Sequence, residues 1–257
     1  MIIIFGSAGV LGQSISDLLL EKFNGSVLMT ANHSLEDIAI YEKKYPAKVI
    51  IRKCDVSNPG DVEQVFKHVD RLGIKITGIV NNFAFTFSDS GNNNFSAQTK
   101  EVRKVFDVNY FGLASVLEST VNWAMKNKAS GLRIVNILSN SLKTLNASNG
   151  HYIASKSAVE TLTRYYAKHY SEYLSVNCVA PGLMKSRLTA TRFDNSEKKI
   201  IDLTPFKTHQ ADPWNIENKT WLKHPVQHNL YPLKVEDKIE YEQNSPMRNI
   251  FDDNTET

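Results

Sequence analysis

The chain has 257 residues, 42% of them hydrophobic and 22% charged, which is enough apolar material for one large core in a soluble globular protein. The net charge of +3 is small, residues 1–180 hold 19 Lys/Arg against 15 Asp/Glu, and no aromatic stretch is laced with arginines, which excludes nucleic acid as the expected partner. No apolar run is long enough to cross a bilayer, the apolar start has no basic flank, and Cys54 and Cys178 read as buried thiols, so a cytoplasmic protein off the membrane is expected.

Residues 2–5 are a β-branched and aromatic run ending at Gly6, and 13–23 follow with Ile15, Leu18, Leu19 and Phe23 at helical spacing. This pattern predicts a buried strand feeding a helix through glycines. The alternation recurs as strand 27–30, helix 35–45, strand 48–54, helix 62–72 and strand 77–81. Ser34 and Ser57 are the expected N-caps, and Pro59 suits a first helical turn because it has no amide to satisfy. A long helix over 99–126, a strand at 132–138, a helix over 150–173 and a strand at 175–179 follow. Six strands separated by helices predict an α/β fold with a mostly parallel sheet covered on both faces. The pattern leaves the strand order open.

Gly6, Gly9 and Gly12 lie at the first strand-to-helix junction. Missing Cβ atoms there let backbone approach a pyrophosphate, and the helix N-terminus supplies amides and positive potential. Tyr152 and Lys156 are four apart and share one face of the 150–173 helix, with Ser139 thirteen residues upstream of the tyrosine. A phenol ionises at about pH 10, so a neighbouring ammonium is what lets it exchange protons near neutrality. By itself the pair also fits a packing tyrosine and a solvated lysine, as further tyrosines at 165, 166, 170 and 173 illustrate.

In register over residues 1 to about 190, the chain resembles the short-chain dehydrogenases/reductases. The matching pieces are GSAGVLG at 6–12, Asp55 and Val56 after the third strand, NNFA at 81–84, Asn109 in NYFG, IVNILS ending at Ser139, YIASK at 152–156 and VNCVAPG at 176–182. The resemblance implies a doubly wound Rossmann-like sheet of order 3-2-1-4-5-6 in one domain spanning 1–257. It implies an NAD(P)-dependent enzyme interconverting a carbonyl and a secondary alcohol. Tyr152 would be the general acid/base, Lys156 would lower its pKa and hold the cofactor ribose, Ser139 would orient the substrate oxygen, and Asn109 would organise a relay water and adjust the long helix. Gly6, Ser7, Gly9, Leu11 and Gly12 would form the nucleotide loop. Asp55 would meet the adenine edge and Val56 its ring, with Asn82 at the fourth strand's end and Pro181 and Gly182 closing over the nicotinamide. The second strand ends in Thr30, Ala31, Asn32 and His33 without the acid that grips NAD ribose hydroxyls, which slightly favours NADP with Asn32, His33 and Ser34 near its 2′-phosphate. A homo-oligomer paired through the 99–126 and 150–173 helices is implied as well.

Several positions depart from the pattern. Val10 stands where glycine is commonest, and Phe83 and Ala84 stand where Ala and Gly are usual. Phe83 reads as a core aromatic under the sheet or as a reshaped nicotinamide pocket. Residues 186–244 are a long polar stretch with Phe206, Trp214, Trp221, Tyr231 and Tyr241 and four prolines, expected to be an elaborated lid or insertion of short helices and turns. His209, His224 and His228 lack compact zinc-ligand spacing, so no metal is expected. The segment 245–257 resembles the entry into the family's next helix, so a seventh strand is expected to be absent and strand 175–179 to be an edge. Two other functions stay open: a nucleotide-binding regulatory or structural protein with weak or lost catalysis, and a nucleotide-sugar epimerase or dehydratase, suggested by the glycine spacing.

Overall fold

Parallel strands that are apolar on both faces need helices above and below, and the alternation along the chain supplies them. The computed structural model describes residues 1–87, 95–145, 149–182, 184, 186 and 229–231. Strands β1 (Ile2–Phe5), β2 (Val27–Ala31), β3 (Val49–Lys53), β4 (Gly78–Asn81), β5 (Leu132–Ile137) and β6 (Leu174–Ala180) pair in parallel in the order β3-β2-β1-β4-β5-β6. This is the doubly wound Rossmann-like order. The winding reverses between β1 and β4, which opens a crevice at their carboxyl ends.

Side-chain alternation assigns the two faces. In β1, Ile3 and Phe5 join one core with Val62, Val65, Phe66 and Val69 of α3 (Pro59–Leu72), and with residues of α5 (Gly112–Lys126) and α7 (Gly150–His169). Ile4 points the other way, into a core with Leu20 of α1 (Val10–Lys22) and Ile38 and Tyr41 of α2 (Glu36–Lys44). The α3 residues recur at three- and four-residue spacing, so one helical stripe is buried and the remainder is solvated. Cys54 and Cys178 are both free and buried, and burial chiefly pushes each thiol up to about 12.

Four local expectations are corrected. Asn58, not Ser57, caps α3, its Oδ1 accepting from the Gly60 amide at 3.0 Å, while Ser57 turns back to donate to Asp55. Leu35, not Ser34, holds the cap position of α2 and makes no side-chain cap bond, while Ser34 adopts a left-handed φ of 58°. The long helix expected at 99–126 is divided into α4 (Phe95–Phe106) and α5 by a π-helical turn, Asp107–Phe111, that contains Asn109. The helix bearing Tyr152 ends at His169, earlier than expected, and a short α6 (Ser141–Thr144) precedes it.

The largest correction is to the sheet edge. A seventh strand, β7 (Asn229–Tyr231), pairs antiparallel with β6, aligning Cys178 with Tyr231 and Ala180 with Asn229. An edge strand offers a row of unpaired amides and carbonyls, and three residues of passing backbone suffice to pair with part of it. Such pairing requires no apolar run, so periodicity gave no sign of it. Apart from Ser186 and this strand, the expected lid at 186–244 lies outside the described residues, as do the three histidines and the segment 245–257. No helix among the described residues is long and apolar enough to cross a membrane.

Candidate active site

The glycine loop leaves β1 in a turn that only a residue without Cβ adopts easily, because Gly6 has a φ of 82° and a Cβ there would meet the Phe83 amide at 2.9 Å. Gly12 is tighter still, since a Cβ would lie 2.5 Å from the Gly6 carbonyl. Gly9 differs: an added Cβ meets nothing nearer than 4.0 Å. Gly9 caps α1 without a side chain, and no acidic residue occupies the first turn. Among the described residues the first amides of α1 therefore have neither an intrahelical nor a side-chain acceptor, which fits an incoming phosphate. Leu11 is half-buried on that turn. Val10, a departure from the commonest pattern, is the first residue of α1.

Other expected nucleotide contacts hold the loop together. Ser7 is fully buried; its hydroxyl donates to the Ile4 carbonyl at 2.9 Å and accepts from the Thr30 amide at 3.2 Å. Its side chain thus ties β1 to β2. Asn82 donates through Nδ2 to the Gly6 carbonyl at 2.9 Å, fixing the end of β4 to the glycine turn. Val56 is buried and packs where a Cβ on Gly112 would otherwise fall. Asn32, His33 and Asp55 come together at the ends of β2 and β3. Burial would raise the Asp55 carboxyl, but hydrogen bonds from Ser57 and Asn32 and the nearby His33 outweigh it and lower the pKa.

At the other end of the crevice, Asn149 caps α7 by accepting from the Tyr152 amide at 2.8 Å, and its Nδ2 donates to the Phe87 carbonyl at 2.6 Å. That cap fixes Tyr152 in the first turn of α7, half-buried, with Lys156 one turn later. Lys156 is only 2% exposed, and its Nζ donates to the Ile137 carbonyl at 2.7 Å. Burial lowers its pKa to about 8, so the ammonium is still largely protonated at neutral pH.

Asn109 sits in the π-helical turn, 1% exposed, and reads the backbone opposite with both ends of its amide. Its Oδ1 accepts from the Phe85 amide at 2.7 Å, and its Nδ2 donates to the Phe85 carbonyl at 3.0 Å and to Ser155 Oγ at 2.9 Å. Ser155 in turn donates to the Tyr152 carbonyl at 2.8 Å. Asn109 and Tyr152 are therefore coupled through one hydroxyl. Ser139 follows β5, its Oγ 2.7 Å from Ser141 Oγ and accepting from the Ser141 amide at 3.2 Å. The Pro181 carbonyl accepts from the Asn140 amide at 2.9 Å, so the turn at Pro181 and Gly182 is tied to the Ser139 loop.

Phe83 packs on the main core, as one of its two readings expected, and also lines a small cavity with Asn81, Asn109, Leu113, Asn136, Ile137, Lys156 and Val159. Sequence reasoning missed the supporting groups Ser141, Asn149 and Ser155. Asn149 had a signal, an Asn-Gly pair opening the helix. Ser155 had none, because a serine within a helix ordinarily bonds only its own backbone.

A family model described as enoyl-(acyl carrier protein) reductase matches residues 9–220. The chain is 28% identical over 192 residues to an NADPH-dependent aldehyde reductase 2, chloroplastic, of Arabidopsis thaliana, covering 74% of this chain and 68% of that one. Among solved structures, a short-chain dehydrogenase/reductase from Brucella melitensis superposes with a TM-score of 0.74 at 19% identity, over 88% of this chain and 89% of that one. The structure of ElxO with NADP bound gives a TM-score of 0.70 at 20% identity, over 86% of this chain and 89% of that one. With its doubly wound sheet and a family model matched over most of its length, the chain belongs to the short-chain dehydrogenase/reductase family of NAD(P)-dependent oxidoreductases.

Proposed function

We propose that the protein interconverts a carbonyl and a secondary alcohol, with Tyr152 exchanging the proton at the substrate oxygen. The observation that carries this reading is the buried Lys156 ammonium one helical turn from Tyr152, with the tyrosine's backbone coupled through Ser155 to Asn109. A protonated lysine beside a phenol favours the phenolate, so Tyr152 gains acidity for reduction and remains a usable base for oxidation. Ser139, on the loop that leaves β5, orients the substrate oxygen and stabilises charge developing there. NADP, which supplies or accepts the hydride when bound, is held by the amides that begin α1, with Asp55 and Asn32 at its adenosine end. Two observations support NADP over NAD: residues 30–33 at the end of β2 include no acid to repel a 2′-phosphate, and a relative's name specifies NADPH.

A panel of aldehydes, ketones, secondary alcohols, sugar nucleotides and acyl-carrier thioesters, followed at the reduced-nicotinamide absorbance with NADPH and with NADH, tests the proposal. Turnover is expected with a simple carbonyl or alcohol, with a lower KM for NADPH. Tyr152→Phe is expected to lower kcat by about 10²-fold or more while leaving NADPH affinity largely intact. Undiminished turnover by Tyr152→Phe overturns the catalytic assignment. NADPH binding without turnover across the panel favours instead a nucleotide-binding protein that has lost catalysis, a reading to which Phe83 beside Lys156 lends support.

A further inference from the structure

A directional hydrogen-bond chain ends under the active site. It begins on α7, where the Val159 carbonyl, which can only accept, takes the hydrogen of the Thr163 hydroxyl at 2.7 Å. Thr163 Oγ1 must then accept from its other neighbour, and Asn136 Nδ2 donates to it at 2.9 Å. This sets the Asn136 amide so that Oδ1 faces Asn81, which answers with Nδ2 at 2.8 Å. Asn81 Oδ1 is thereby compelled to be the outward acceptor. It is buried, and no donor among the described residues reaches it.

These residues are sealed from solvent: Asn81 is 3% exposed, Asn136 1% and Thr163 0%. Their depth gives the chain one polarity, because no bulk water competes to reverse an amide. Asn81 and Asn136 line the small cavity that Lys156 also lines, and the cavity has room for about one water molecule. Asn109, the other amide in that lining, already uses both Nδ2 hydrogens on the Phe85 carbonyl and Ser155. Lys156 has three, and Ile137 takes one.

We propose that a buried water links Asn81 Oδ1 to the Lys156 ammonium, making Asn81, Asn136 and Thr163 positioning residues that anchor the ammonium from below. The inference rests on the reading of Lys156 as the ammonium that serves Tyr152. The water accepts from Nζ and donates to Asn81 Oδ1, so both the orphaned oxygen and a buried cation gain a partner. Lys156 is the single titratable residue lining the cavity, and Tyr152 lies one turn earlier on the same helix.

The test is an NMR titration of 13Cε-lysine in the full chain, with the Lys156 signal identified by its loss in Lys156→Arg. Asn81→Leu removes the acceptor at similar volume. Thr163→Val removes the hydroxyl that sets the chain's direction without altering the cavity lining, and Thr163→Ser restores it. The Lys156 midpoint is expected to fall by about one pH unit in Asn81→Leu, to fall in Thr163→Val, and to stay in place in Thr163→Ser. An unshifted midpoint in folded Asn81→Leu or Thr163→Val overturns the proposal, even if those variants melt earlier, since lost packing alone does not require the ammonium to respond. If Asn81→Leu does not fold, Thr163→Val decides the matter. A crystal structure with a dry cavity between the two atoms overturns the water link. Failure of the broader catalytic reading would look different: Lys156→Ala with unchanged turnover and NADPH affinity.

Discussion

Lys156 is placed at a cost that the proposed proton transfer would explain. A lysine titrates near 10.5 when exposed, and burial brings it down to about 8 here, so the fold disfavours the charge it retains. Between these values the unfolded chain binds more protons than the folded one, which means that stability rises with pH across that window. The penalty is complete below about pH 8 and gone above about 10.5. Lys156→Met is therefore expected to stabilise the cofactor-free protein by about 3 kcal/mol at pH 7, with the gain vanishing by pH 10.5. Thermal melts of the two proteins across that range check this, and a gain independent of pH would assign the effect to packing instead. Asp55 has the opposite sign: its depressed pKa contributes stability that is lost as pH falls through the folded value.

At the scale of elements, the β1–α1 junction contains glycines with different jobs. Gly12 is packed against the Gly6 carbonyl at a distance no Cβ tolerates, and backbone rather than a pliant side chain stands in the way. Gly9, at the head of α1, has room for a Cβ, whose nearest neighbours would be 4.0 Å away. Gly12→Ala is thus expected to destabilise the fold, by about 1–3 kcal/mol on the scale of overpacked sites. Gly9→Ala is expected to leave stability nearly unchanged while weakening NADPH binding, because its methyl occupies the approach to the first amides of α1. Urea unfolding combined with fluorescence titration of NADPH separates the two. Equal effects of both substitutions on stability would contradict this division. The π-helical turn is a second element-scale device: the extra residue in the turn accompanies an inward Asn109 whose amide grips Phe85 from the opposite segment.

For the whole molecule, the two cores on either face of the sheet leave some large apolar side chains outside. Phe111 is 57% exposed, Tyr165 50% and Met125 53%, on the segment from the π-helical turn through α5 and on α7. Tyr165 stacks at its own helix surface on His169, with ring centres 4.3 Å apart. We predict that these helices pair between copies, so that sedimentation at micromolar concentration gives a dimer or larger assembly and Tyr165→Glu shifts it toward monomer. A monomeric wild-type protein would exclude the pairing.

The sequence by itself determined the alternation of strands and helices, the doubly covered sheet and the glycine turn between β1 and α1, because buried parallel strands and tight turns impose local residue choices that survive in one dimension. Tyr152 and Lys156 were legible for the same reason, four positions being one helical turn. Their resemblance to a known pattern also marked Asn109 as a point where the long helix is adjusted, and the π-helical turn lies there. Tertiary structure alone decided the rest. Ser7 faces inward because β1 and β2 end side by side, β7 exists because β6 has an edge to be paired, and Asn81, Asn136 and Thr163 form a line because three separate elements meet beneath Lys156. Hydrogen bonds between residues 27 and 55 positions apart depend on strand order and register, which no local periodicity contains.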